Sequence, residues 1–197
     1  MKYPHDTNNL TFMTTYKEYI SYLAENKIDK NFINSDYGHA VDVFETLFEN
    51  AQKSVKILAG SLTSEVSNDQ RYLLAISDFI ERGGELKILL TDYDGAKAKS
   101  SNLFKRLFFY KFKERPVFVK QTKVIPYYSS DPDKKEIHFT VADKTSFRIE
   151  NDTIERKANY CNFNNKSTAE NLTVFFDEVF DSPESVDVCL ISLFKES

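Results

Sequence analysis

Between Glu136 and Glu150 the chain reads Glu-Ile-His-Phe-Thr-Val-Ala-Asp-Lys-Thr-Ser-Phe-Arg-Ile-Glu, and this stretch holds the side chains best suited to chemistry. His138 is one of only three histidines. A neutral imidazole in a site that also steadies phosphate charge can act as the nucleophile of phosphoryl transfer. Lys134, Lys135 and Arg148 lie near enough in sequence to offer that charge. The plainer alternative is a half-exposed strand histidine that bonds a neighbour. Arg148 and Glu150 are two residues apart, so in a strand they share a face. The planar fork of Arg148 could hold a ligand's phosphate, or the pair could form an ion pair across the sheet. Asp143 is expected to make a hairpin turn, with orientation of a ligand or a histidine as its alternative role.

Alternation of apolar and polar residues says how these groups are held. If Ile137, Phe139 and Val141 face one way, His138 and Thr140 face the other. A turn at Asp143-Lys144 then returns the chain as a second alternating strand.

This hairpin resembles the second half of a phospholipase-D-like domain. In that superfamily a strand carries His-x-Lys, then four residues, then Asp. The histidine takes a phosphoryl group, the lysine holds phosphate oxygens, and two copies of the motif meet at one active site. Counted from His138, the lysine position holds Thr140 and the aspartate position Thr145. Counted back from Asp143, the histidine position holds Glu136 and the lysine position His138. Neither register has the lysine, and the Gly-Ser-x-Asn that usually follows is absent. A lysine from elsewhere, such as Lys87 or Lys120, is a candidate replacement. The resemblance therefore implies the fold with a degenerate motif. Other pieces carry it from about Asn34 to Ser182: His39-Ala40 in a helix, Ala51-Gln-Lys-Ser-Val-Lys-Ile57, Phe79-Ile-Glu-Arg-Gly-Gly-Glu-Leu-Lys-Ile-Leu-Leu-Thr-Asp92, and Phe175-Phe-Asp-Glu-Val-Phe180.

The elements that must position the hairpin read as follows. Residues 14–28 form an amphipathic helix with Tyr16, Ile20 and Leu23 on one side, and a linker with Asn31, Asn34, Ser35 and Asp36 follows. A helix over about 37–52 carries Val41, Phe44, Leu47, Phe48 and Ala51 at helical spacing. Ser54–Gly60 is a buried strand, Asn68–Arg82 a helix closed by Gly83-Gly84, and Glu85–Thr91 a strand. Strand, helix and strand in that order make a βαβ unit with parallel pairing. Asp92-Tyr-Asp94-Gly95 reads as a turn, although Asp92 and Asp94 also stand where open α/β sheets bind ligands. A helix at about 100–113 and a strand at 117–125 precede a polar loop at 129–135 and the hairpin. A strand near 158–163 and a helix over 167–180 follow. Ser182-Pro183-Glu184 reads as a helix start, opening a short helix that buries Val186, Leu190 and Leu193. The expected class is α/β: a mixed sheet flanked by helices, in one domain over 34–183. Residues 1–33 form a helical extension and 184–197 a C-terminal helix or tail. His39 is expected to be structural, and His5 is given no role.

At 197 residues the chain is of ordinary single-domain size. It has 17 Phe and 11 Tyr for a core and only five Gly and five Pro, which argues against disorder. Cys161 and Cys189 have no metal-like spacing, so a reduced, cytoplasmic protein is the simplest reading. No apolar run is long enough to span a membrane, and the first residues lack the apolar stretch of a signal peptide.

Charge is unevenly spread. Ala96 to Lys123 holds nine basic residues, among them Lys105, Arg106, Lys111 and Lys113, against Glu114 alone. That segment carries +8 in a chain of net charge −4. Its cations alternate with Phe104, Phe108, Phe109, Tyr110, Phe112 and Phe118, a pattern suited to phosphates and stacked bases. The same helix could lie on an anionic membrane, or bury Leu103, Leu107, Phe108 and Tyr110 beneath a solvated basic face.

Two function classes follow. One is a catalytically degenerate domain that binds a phosphate-bearing ligand, nucleic acid first, or a partner protein. The other is a phosphodiesterase or nuclease working through a phosphohistidine at His138. With one motif per chain, that enzyme must be a homodimer, and it needs no metal or other cofactor. A third possibility is a structural subunit whose apolar tail, Val186 to Phe194, docks on a partner.

Overall fold

The computed structural model describes residues 15–127, 131–152 and 157–195. His5 lies outside them. Helix α1 (Tyr16–Glu25) begins at a capping box: the Thr15 hydroxyl accepts from the Glu18 amide, and the Thr15 amide donates to the Glu18 carboxylate. Strand β1 (Phe32–Asn34) and helix α2 (Tyr37–Asn50) follow, with Asp36 capping α2. Next come β2 (Ser54–Ala59), a short α3 (Glu65–Asn68), α4 (Gln70–Glu81) and β3 (Glu85–Leu90). The basic segment forms α5 (Gly95–Ser100), α6 (Asn102–Phe112) and β4 (Val117–Thr122). The hairpin is β5 (His138–Ala142) and β6 (Ser146–Glu150), and β7 (Ala158–Asn162) and α7 (Lys166–Phe180) follow it. The chain closes with β8 (Ser185–Asp187) and α8 (Leu190–Phe194).

One eight-stranded sheet runs β1-β7-β6-β5-β2-β3-β4-β8. Strands β2, β3 and β4 are parallel, joined through α4 and α6, as the βαβ reading requires. All the other pairings are antiparallel. Helices cover both faces because the central strands are apolar on both. On one face Leu58, Leu89, Phe139, Val141, Phe147 and Ile149 pack against Phe176, Val179 and Phe180 of α7. The nearly buried Lys56 joins that face, its Nζ 2.6 Å from Asp177 of α7. On the other face Val55, Ile57, Leu86, Ile88 and Leu90 meet α1, α2, α4 and α6. The Gly84 backbone sits hard against the Phe79 ring, where a β-carbon would fall 2.3 Å from it. The Gly-Gly pair therefore serves close packing as well as helix termination.

Two expectations are corrected. Residues 32–34, expected in a linker, form an edge strand: Phe32 and Asn34 pair with Cys161 and Ala158 of β7. The polar neighbours Asn31, Ser35 and Asp36 hide a three-residue strand whose alternate residues are buried. Ser182-Pro183-Glu184 does not start a helix. Ser185–Asp187 pairs antiparallel with β4, leaving Val186 66% exposed, and the last helix starts only at Leu190. The expected division at residue 34 thus falls inside β1, and the expected tail supplies an edge strand. The helix expected at 100–113 is α6, and a short α5 that the sequence did not announce precedes it, the two meeting at Ser101. No described helix is long and apolar enough to cross a membrane.

Candidate functional site

Sheet order creates the site. Strand β2 has a parallel neighbour, β3, on one side and an antiparallel neighbour, β5, on the other. The carboxyl ends of β2 and β3 therefore lie beside the start of β5 and the end of β6. A crevice at that position is where open α/β sheets bind ligands. Here it is a cavity of about 240 Å³, floored by Ile57 to Leu62, Thr91 and Asp92. Glu136, His138, Thr140, Arg148 and Glu150 form one wall, and Phe44, Val66, Ser67 and Tyr72 form the other.

The wall forms because the hairpin alternates as expected. Phe139 and Val141 point to α7, whereas His138, Thr140, Arg148 and Glu150 point to the cavity. His138 sits opposite Glu150 in the β5–β6 register, and Thr140 opposite Arg148. Arg148 and Glu150 form an ion pair at 2.7 Å, with both residues almost wholly buried. The Arg148 Nε donates to Asn34 of β1 at 2.8 Å, and its guanidinium lies 4.8 Å from the centre of the Phe44 ring. Burial pushes the Glu150 carboxyl up, but the His138 contact and the Arg148 charge outweigh it and hold the pKa at about 2.

Both ring nitrogens of His138 face carboxylates: Nε2 is 3.3 Å from Glu136 and Nδ1 is 3.5 Å from Glu150. A neutral imidazole has one N–H and one lone pair, so neither nitrogen is left aimed at open space. Glu136 also accepts a 2.6 Å hydrogen bond from Thr91. The polar groups thus form one chain, from Thr91 through Glu136, His138, Glu150 and Arg148 to Asn34. Gly60 lies beside the histidine, where a β-carbon would come 3.3 Å from Cε1.

Asp143 stands outside the cavity. It turns the hairpin at φ 50°, and its carboxylate accepts from three backbone amides, Gln52 at 2.5 Å, Lys53 at 2.9 Å and Ser54 at 2.8 Å. It fastens the turn to the start of β2. With Asp143 at the turn, counting back along the strand puts both Glu136 and His138 in the cavity wall.

Among the described residues no lysine lines the cavity. Lys87 and Lys120 lie over the Phe180 ring of α7, and Lys120 donates to the Phe180 carbonyl at 2.8 Å. Lys134 lies over Tyr127, and Lys135 is 3.7 Å from Asp133. The α6 cations Lys105, Arg106, Lys111 and Lys113 are not in the lining either. Of the two aspartates after β3, Asp92 reaches the cavity, whereas Asp94 caps α5 by accepting from Ala96 and Lys97. His39 is away from the site, stacked on Tyr16 at 3.8 Å and bonded to Ser35. Tyr72 and Asn34 had no chemical signature in the sequence: one reads as a core residue of a helix and the other as a linker amide. Among the described residues no group of three or more His, Cys, Asp or Glu could hold a metal ion.

The basic segment makes a second surface. Leu103, Phe104, Leu107 and Tyr110 bury one side of α6. Phe109, Phe112 and Phe118 remain exposed, Phe112 by 71%. Lys113 lies 4.3 Å over the Phe109 ring, and Lys111 lies 4.7 Å over that of Phe118. Among the described residues no carboxylate pairs with Lys99, Lys105, Arg106, Lys111, Lys113 or Lys123, whereas Arg115 meets Glu81 at 3.0 Å.

No protein-family model matches the sequence, and no curated protein matches it. Solved structures do. The chain is similar to Nuc of Salmonella typhimurium, a phospholipase D family member, at TM-score 0.54 and 13% identity, covering 81% of this chain and 99% of that one. It is similar to phosphatidylserine synthase of Haemophilus influenzae at TM-score 0.57 and 12% identity, spanning 84% of this chain and 41% of that one. It is also similar to TrmBL2, an archaeal chromatin protein described with a novel mode of DNA binding, at TM-score 0.54 and 13% identity, over 87% of this chain and 60% of that one. With its mixed sheet, helices on both faces and these neighbours, the chain has the phospholipase-D-like fold.

Proposed function

We propose that this protein is a catalytically degenerate phospholipase-D-like domain that binds nucleic acid through α6 and the start of β4. The carrying observation is the exposure of Phe109, Phe112 and Phe118, with Lys113 lying over the first ring and Lys111 over the last, in a segment where six cations have no carboxylate partner among the described residues. Backbone phosphates are held by such charges, and bases stack on such rings. Lys105, Arg106, Lys111 and Lys113 are the proposed ligand contacts. Degeneracy is supported by the cavity itself. Its described lining has no lysine, and its Arg148 charge is already taken by Glu150. That pairing also weighs against Arg148 and Glu150 as the phosphate site. The DNA-binding mode reported for the chromatin protein of similar fold is consistent with this reading.

The test is fluorescence anisotropy of a short labelled single-stranded DNA at low salt, titrated with the wild type and with the Lys105→Glu/Lys111→Glu variant. Binding should weaken at least tenfold in the variant, with a shallower dependence on salt. Unchanged affinity and an unchanged salt slope would end the nucleic-acid reading and leave a partner protein as the ligand.

A second reading, a metal-independent phosphodiesterase using a His138 phosphohistidine in a homodimer, is favoured by the place of His138 in the cavity wall. The carboxylates at both ring nitrogens count against it, since an attacking nitrogen needs a free lone pair. It requires phosphodiesterase activity that survives chelator and is lost in His138→Ala, together with a dimer in light scattering.

A further inference from the structure

One residue of the cavity lining carries a hydroxyl without a partner. Tyr72 of α4 is 1% exposed and lines the cavity, and its phenol oxygen is the only buried side-chain polar atom among the described residues without a hydrogen-bond partner. Leaving such a group unpaired is unfavourable, so native structures satisfy nearly all of them. The ring itself is fixed: Phe44 meets it edge-on at 4.9 Å and Phe48 at 5.9 Å. These rings hold the Tyr72 side chain in the cavity wall, where a group that enters the cavity can satisfy its hydroxyl.

Charge selects what enters. The lining holds three carboxylates, Asp92, Glu136 and Glu150, against one guanidinium, Arg148, and the imidazole of His138. The lining is therefore net negative whether or not His138 is protonated. Arg148 is committed to Glu150 and Asn34. Asp92 is exposed at the mouth and its carboxylate has no hydrogen-bond or ionic partner among the described residues. Glu136 is about one-third exposed, with one of its oxygens in contact with both Thr91 and His138. A phosphate entering here would meet carboxylates at the rim and find no uncommitted cation. A molecule bearing ammonium or guanidinium N–H groups would meet acceptors throughout: Asp92 and Glu136 at the mouth, Ser61 and Ser64 beside them, and the Tyr72 oxygen within. The volume of about 240 Å³ suits a small molecule rather than a polymer.

We infer that the cavity is a binding site for a small organic cation, an amine or guanidine, with Asp92 and Glu136 as its anionic contacts and the Tyr72 hydroxyl as its buried acceptor. This site is separate from the α6 surface, since none of the α6 cations lines the cavity.

The experiment is calorimetric titration of the whole chain with butylamine, putrescine, agmatine and guanidinium as cationic probes. Inorganic phosphate and glycerol phosphate serve as anionic ones. At least one cation should bind saturably at one site per chain. Asp92→Asn/Glu136→Gln should weaken it tenfold or more. Glu178→Gln, on the exposed side of α7, and Lys105→Glu/Lys111→Glu should leave it unchanged. Tyr72→Phe should raise the melting temperature of the free protein while weakening the cation. The proposal is overturned if no cation binds, if phosphate binds and is strengthened by the acidic-pair variant, or if cation affinity falls equally in Glu178→Gln. Binding that survives Asp92→Asn/Glu136→Gln also overturns it. Circular dichroism of each variant separates loss of binding from loss of fold.

Discussion

Arg148 and Glu150, two residues apart on β6, form a 2.7 Å ion pair inside the cavity wall, and the same carboxylate meets His138 at 3.5 Å through its other oxygen. Glu150 is thus the anion that the buried Arg148 guanidinium depends on, and it also holds one nitrogen of His138. Removing one member of a buried pair strands the other, at a cost of about 3–5 kcal/mol. Glu150→Gln should lower unfolding stability by that order. An apolar replacement of both, Arg148→Met/Glu150→Leu, should cost less than the sum of its singles, because no uncompensated charge remains. Urea unfolding of the four proteins reads the coupling, and additive costs would show that the pair is not the source.

The same carboxyl predicts an acid response. Its folded pKa, about 2, lies below the ordinary value of 4.5. A lowered folded pKa gives stability that is complete above the unfolded value and is lost as pH falls through the folded one. The stability difference between wild type and Glu150→Gln should therefore be largest above about pH 4.5 and shrink toward pH 2. The lost contribution is on the order of 3 kcal/mol. A difference that stays constant over that interval would contradict the pairing.

Much of the fold was legible because the central strands are long apolar runs and the helices carry strong periodic faces. Leu73, Ile76, Phe79 and Ile80 mark α4 by spacing alone. The facing of His138 and Thr140 away from Phe139 and Val141 followed from period two. What escaped was set by tertiary pairing. Asn34 sits in a polar linker pattern, yet three residues of edge strand are enough to place its amide oxygen on Arg148. Val186 looked like a helix core residue, but β4 offered a free edge and the segment paired with it. Tyr72 is indistinguishable from any buried aromatic until its hydroxyl is seen to lack a partner. Glu136 entered the sequence reading only through a counting register. Its contact with His138 depends on both flanking the start of β5.

Asp143 shows how a motif residue serves the fold. Three backbone amides from the start of β2 converge on its carboxylate. Asp143→Ala removes that acceptor and also places alanine in a left-handed backbone conformation. A loss of about 2–3 kcal/mol is expected, from hydrogen bonds to a charged group. Asp143→Asn, which tolerates the conformation and keeps one acceptor oxygen, should lose less. Denaturant midpoints measure both, and equal losses would assign the effect to the charge alone.

The two thiols should behave differently. Cys189 is exposed, and hydrogen bonding to Ser192 lowers its pKa, whereas burial pushes Cys161 up to about 12. The thiolate is the reactive species. A thiol reagent at neutral pH should label one cysteine in the native protein and both after unfolding. Mass spectrometry should place the native label on Cys189, and rapid native labelling of Cys161 would show that β7 opens.

Gly60 offers a direct handle on the histidine. A β-carbon there would come 3.3 Å from Cε1 and 3.5 Å from Nε2 of His138, tighter than comfortable packing but short of a collision. The ring can yield only by moving along the cavity wall, because Glu136 and Glu150 hold its two nitrogens. Gly60→Ala should therefore change overall stability by less than about 1 kcal/mol, since the substitution also restricts the unfolded chain. It should nevertheless displace the ring from Glu136. Imidazole resonances of His138 in an NMR spectrum should shift in Gly60→Ala and stay fixed in Gly38→Ala, a helix position remote from the cavity. Equal spectra for the two variants would mean that the histidine is not confined by the β2 terminus, and that the carboxylates alone set its position.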